Sequence, residues 1–104
     1  MYNEIIDQLC NLTIDKELRW QTIDNLIVDG RPYSQHFQHI LPNKSFFTEY
    51  NGKEIVVLYG EMGGLFDDQI IGQYFIQEIS GNQVYQLEVP EQNIVKLHTI
   101  ITLS

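Results

Sequence analysis

With a single cysteine, Cys10, the chain can form no internal disulfide, which excludes the bridged scaffolds of many small extracellular domains. Long apolar runs are missing too, and nothing approaches the roughly 20 consecutive apolar residues that span a bilayer. The opening MYNEIIDQLC has acids where a secretion signal needs positive charge, and its apolar residues are periodic rather than continuous. These absences predict a soluble, cytoplasmic protein without membrane attachment. Basic residues are scarce and unevenly placed. Residues 1–53 carry seven acids and five bases; residues 54–104 carry seven acids and one base, Lys96, a local net of −6 within a total of −8. Such a surface repels phosphate, so direct binding of nucleic acid or of an anionic membrane is not expected. A protein partner with a basic surface would be drawn to it.

Catalytic signatures are also lacking. Ser34, Ser45, Ser80 and Ser104 have no G-x-S-x-G setting. GEMGG, residues 60–64, lacks the Lys and Ser/Thr of a phosphate loop and the alternating oxygen ligands of a calcium loop. His36-x-x-His39 is the nearest approach to a metal pair. On a helix this spacing sets both rings on one side, but two ligands do not complete a site and His98 is 59 positions further on. Among the acids, adjacent Asp67 and Asp68 diverge in an extended chain, and Glu78 and Glu88 fall on opposite faces of their hairpin. Glu49 and Glu54 converge, but at a hairpin tip without a cleft. No catalytic residue, metal or cofactor is therefore assigned.

What is present reads as one globular domain spanning 1–104, 43% hydrophobic and 19% charged. Tyr2, Ile5, Ile6, Leu9, Cys10 and Leu12 recur at three- and four-residue spacing and predict a helix ending near Thr13, with Cys10 as a buried, inert thiol. ELRWQTI suggests a short strand with Leu18 and Trp20 on one side, Trp20 anchoring the core while its indole N–H finds a partner. In residues 24–44, Asp29-Gly30, Pro32 and Pro42-Asn43 mark turns. Between them YSQHFQHIL reads as two helical turns or an ordered loop, with Phe37, Ile40 and Leu41 facing inward.

Asn51-Gly52 is the strongest local signal, because both residues tolerate the positive φ of a type I′ turn. Strands 45–50 and 53–59 then pair Phe46 with Val57, Thr48 with Ile55 and Tyr50 with Lys53, leaving Phe47–Val56 and Glu49–Glu54 on the other face. A second hairpin, IIGQYFIQEIS-GN-QVYQLEV, puts Tyr74, Ile76, Tyr85, Leu87 and Val89 toward the core. Phe75, Gln77, Ile79, Val84, Gln86 and Glu88 form a mixed face expected to be only partly covered. In PEQNIVKLHTIITLS, Val95, Leu97, Ile101 and Leu103 fit a strand as well as Ile94, Leu97, His98 and Ile101 fit a helix stripe. Pro90, suited to a first helical position and followed by Glu91, favours the helix against the β-branched content. The expected fold is α+β: an N-terminal helix, an antiparallel meander of about four strands and a C-terminal helix.

Without a catalytic motif, the expected function is that of a small acidic binding protein occupying a protein partner, as an inhibitor, immunity or accessory factor does. The expected contact is the loop after the first hairpin, where Met62, Leu65 and Phe66 lie among Glu61, Asp67 and Asp68. Those apolar residues either tuck back onto the sheet end or meet the partner. A homodimer through an edge strand or the outer sheet face is a further arrangement. The alternative function is a small-molecule binder or enzyme, with a pocket between helix and sheet lined by Tyr74, Tyr85, Trp20 and a histidine.

Overall fold

The computed structural model describes residues 2–63, 70–81 and 83–104. Helix α1, Tyr2–Ile14, buries the expected stripe of Ile6, Leu9 and Cys10. Its end carries no glycine. Instead Lys16 takes the left-handed conformation at φ 62°, Glu17 N–H reaches back to Leu12 O, and Lys16 N–H to Thr13 O, the paired bonds of a Schellman cap. Thr13 Oγ1 donates to Leu9 O at 2.6 Å and accepts Trp20 Nε1–H at 2.9 Å, so the indole is pinned to the helix as anticipated. The strand expected across ELRWQTI shrinks to β1, Gln21–Thr22.

The sheet follows from its turns. Strands β4, Phe46–Tyr50, and β5, Lys53–Gly63, pair in the register expected, from Phe46 opposite Val57 to Tyr50 opposite Lys53. Asn51 and Gly52 both have positive φ, 53° and 77°. A Cβ at Gly52 would touch nothing within 4 Å, so the only cost of a side chain there is conformational. Gly52→Val should therefore lose about 1–2 kcal/mol, measured as a lowered urea midpoint with an unchanged slope. Strand β6, Ile70–Ser80, runs antiparallel to β5 along its whole length, and β7, Gln83–Gln86, folds back onto Gln77–Ser80. The five-stranded order is β1-β4-β5-β6-β7, and a separate two-stranded hairpin joins β2, Ile27–Val28, to β3, Arg31–Pro32.

Helix α2, Glu91–Leu103, buries Ile94, Leu97, His98 and Ile101, the helical stripe legible in the sequence. Pro90 is its N-cap rather than its first helical residue, since its ψ of 138° is still extended. The two helices lie side by side on one face of the sheet. Asp7 Oδ1 faces Lys96 Nζ at 3.6 Å, and Ile14 shares a cleft with Ile100 and Leu103, so they run parallel. Between them and the sheet sit Ile55, Val57, Ile76 and Leu87. The architecture is α+β, as expected.

The second face is partly covered, as expected, with Val84, Gln86 and Glu88 exposed along the β7 edge. Its middle, however, is a second core: Val56, Leu58 and Ile79 are buried beneath Ile23, Leu26, Val28 and Tyr33, with Phe37, Ile40, Phe47 and Phe75 packed around them. Residues 23–40 form this cover. The segment is not two turns of α-helix. Tyr33–His36 is a single 3₁₀ turn, Phe37 is extended at φ −131° and ψ 151°, and Ile40 bridges to Gly60 of β5. Phe37 and Ile40 do pack inward. A buried hydrogen bond locks the cover in place, Tyr33 Oη donating to Gln77 Oε1 at 2.6 Å. Burial also holds the Tyr33 phenol above its ordinary pKa. Tyr85, expected in the core, is exposed, because β7 is an edge strand; Leu87 and Val89 beyond it do pack against the helix-side core.

Candidate functional site

Strands β5 and β6 have eleven residues each and outrun their neighbours. The GEMG stretch expected to begin a loop is strand through Gly63, with Glu61 opposite Gly72, Met62 opposite Ile71, and Gly63 opposite Ile70. On the β4 side, β4 covers β5 only from Lys53 to Val57. His39–Leu41 continues the cover: Leu41 N–H donates to Tyr59 O at 2.9 Å and Glu61 N–H to His39 O at 3.0 Å. Gly60 makes this crossing possible. A Cβ there would lie 2.9 Å from His39 O and 3.1 Å from Ile40 Cδ1.

On the other side, β7 covers β6 from Gln77 to Ser80, and Leu87 N–H adds one bond to Ile76 O. Further out, the bond seen among the described residues is Tyr74 N–H to Glu91 Oε2, 3.3 Å long. From Ile70 to Gln77 the strand reads IIGQYFIQ, without charge or proline. Edge strands ordinarily carry such residues to prevent unwanted pairing.

The base of this ribbon is held by aromatic packing on the helix side. Tyr59 lies across Gly72, where its Oη would be 2.7 Å from a Cβ, and stacks obliquely on Tyr74 at 4.8 Å between centroids. His98 meets Tyr74 edge-on at 5.0 Å and Phe46 at 5.7 Å. Its Nε2–H donates to Lys44 O at 2.8 Å, and Lys44 Nζ stands 5.6 Å from the Tyr59 centroid in a cation–π contact. Beyond this block the apolar side chains are uncovered. Ile70 is 72% exposed, Ile71 47% and Met62 45%.

Of the residues expected at a partner contact, Glu61 and Met62 occupy opposite faces of β5 on this ribbon. Leu65, Phe66, Asp67 and Asp68 lie outside the described residues. Ile70 and Ile71 were not anticipated. Their signal is two adjacent isoleucines ahead of the part of β6 that the seven residues QVYQLEV can cover.

The other candidates stand apart. His36 Nε2–H donates to Val28 O at 3.0 Å, and the extended backbone at Phe37 removes the helical apposition with His39. Among the described residues no three His, Cys, Asp or Glu side chains come together as metal ligands. Cys10 is buried, as expected. Burial pushes its thiol pKa up, partly opposed by Lys96, with Asp7 adding to the rise. Glu78 pairs with Lys53 at 3.0 Å. The alternative pocket is not assembled as one space. Trp20 lines a cavity of about 620 Å³ with Leu18, Phe46 and Ile101, and Lys16 and Arg19 beside them. Tyr74 lines a separate cleft with Leu87 and Ile94, and Tyr85 another with Lys53 and Glu78. Among the described residues no helix is long and apolar enough to cross a membrane. Comparison with protein-family models, with curated proteins and with solved structures finds no match to this chain.

Proposed function

We propose that this chain is a small acidic binding protein that acts by occupying a protein partner, in the manner of an inhibitor, immunity or accessory factor. The observation that carries the reading is the β5–β6 ribbon, whose Met62, Ile70 and Ile71 remain exposed although the strands bearing them are fully paired with each other. Exposed apolar residues gathered at the end of an ordered element are characteristic of an interaction surface. The net of −6 over residues 54–104 favours a partner with basic residues around its contact. The test is capture from an extract of the source cells on wild-type protein and on Met62→Ser/Ile71→Ser. The wild type should retain a stoichiometric protein. The double variant should bind that protein more weakly by about 2 kcal/mol, roughly thirtyfold, while melting within a few degrees of wild type. Equal retention by both proteins would move the contact off the ribbon, and no stoichiometric partner would remove the reading.

A further inference from the structure

We infer that the outer edge of β6 from Ile70 to Tyr74 is a strand-addition site, filled by an extended segment of a partner protein in which lysine or arginine alternates with apolar residues. This rests on the reading of the chain as a protein-binding module and names how it binds.

The backbone supplies the first argument. In an antiparallel ladder both polar groups of a residue leave the strand on one side, and successive residues alternate. Tyr74 N–H turns to Glu91, and Ile76 O accepts from Leu87, both away from β5. The N–H and C=O of Ile70 and Gly72, and the C=O of Tyr74, therefore leave on that same side. The opposite strand confirms the phase. Tyr59 and Glu61, paired with Tyr74 and Gly72, send their groups away from β6 to Leu41 and His39. One edge of the ribbon is thus closed by the chain itself. On the other, no bond to Ile70 or Gly72 is seen among the described residues. Adding a strand satisfies such groups through main-chain bonds, and the side chains to either side set the preference.

The side chains supply the second argument. Gly72 leaves a gap in the helix-side row of β6, floored by the Tyr59 ring and flanked by Glu61 on β5. An added residue facing Gly72 would lay its side chain over that ring toward Glu61. A long aliphatic stem ending in a cation fits there. Glu91 stands at the inner end of the edge, where a second cation would meet it. On the opposite face the added strand would present apolar residues beside Ile71 and Met62. A second copy of this chain fits poorly: its corresponding strand, IIGQYFIQ, offers no cation, and each copy carries −8.

The test uses a defined probe, the peptide acetyl-Lys-Val-Lys-Val-Lys-Val-Lys-amide, with two relatives of equal charge. One is N-methylated at the three valine amides and the other at the amides of its last three lysines. Only the amides that face β6 are needed for pairing. One methylated peptide should therefore bind at least about tenfold more weakly than the parent, and the other within about threefold. On the protein, Ile70→Pro removes one outward N–H at an edge position that tolerates proline, and should weaken the parent peptide about tenfold without moving the melting temperature. The inference is overturned if both methylated peptides bind like the parent, if Ile70→Pro binds like wild type, or if the parent fails to bind at millimolar concentration. It is equally overturned if light scattering shows a wild-type dimer that Ile70→Pro converts to monomer, since the edge then belongs to a second copy. The methylated peptides leave the protein untouched, so a folding defect in the variant cannot imitate their result. Failure here with continued capture of a partner by wild type, and its loss in Met62→Ser/Ile71→Ser, would discard edge pairing and keep the binding reading.

Discussion

Leu97→Ala should lower the free energy of unfolding by roughly 3–4 kcal/mol, and Leu58→Ala on the opposite face of the sheet should cost nearly as much. Leu97 comes from α2 and is fully buried among Ile55, Val57, Ile76 and the α1 stripe. Leu58 is 1% exposed, beneath Ile23, Leu26, Val28 and Tyr33. Both truncations remove the same atoms. Urea titration of the two variants measures the difference. If the face bearing Leu58 were partly wetted, its truncation would cost only about 1 kcal/mol, because much of the side chain would already meet water. Equal losses establish two cores separated by one sheet.

Gly60→Val should cost about 3 kcal/mol, a large effect for an added side chain in a strand. The new Cβ would lie 2.9 Å from His39 O, a backbone atom that cannot swing aside. To relieve the contact, the bonds from Leu41 N–H to Tyr59 O and from Glu61 N–H to His39 O must lengthen. Amide exchange at Leu41 and Glu61 should therefore accelerate more than exchange at Ile55 or Val57. Gly63→Val is the control. Its Cβ meets nothing within 4 Å among the described residues, so a strand-favouring valine there should leave stability unchanged or raise it by less than about 1 kcal/mol. Two glycines three positions apart would respond with different magnitude and sign.

Glycine is also where the sequence misleads. GEMGG reads as a loop because glycine weakens strands, yet Gly60 is there to let another backbone pass and Gly72 to accept the Tyr59 ring. Both causes lie far away in the chain, in His39 and across the ladder, so no local pattern announces them. The hairpin at Asn51-Gly52 and the stripe Ile94, Leu97, His98 and Ile101 were legible for the converse reason. The hairpin is fixed by its own turn chemistry; the helix pattern competes with an equally good strand pattern, and the Pro90-Glu91 start favours it. The cover over the second core defeated the reading because it has no period. Ile23, Leu26, Val28, Tyr33, Phe37 and Ile40 are spaced irregularly, carried by single 3₁₀ turns and two-residue strands. Of the candidate surface, Glu61 and Met62 could be named from sequence. The edge of β6 could not, since its exposure depends on where β7 stops.

The parallel pairing of α1 with α2 has a consequence for the order in which the protein is made. Asp7 and Lys96 are neighbours in space and 89 positions apart in the chain. During synthesis Ile6, Leu9 and Cys10 leave the ribosome early, but residues 91–103 must follow before their shared core can close. At the usual elongation rates of about 5–20 residues per second, that leaves the α1 stripe waiting on the order of 5–20 s. The hairpins, closed by local turns, can form in microseconds within that interval. The first helix is therefore among the last elements to find its permanent place, and the nascent chain carries its uncovered apolar stripe while the residues between the two helices are made.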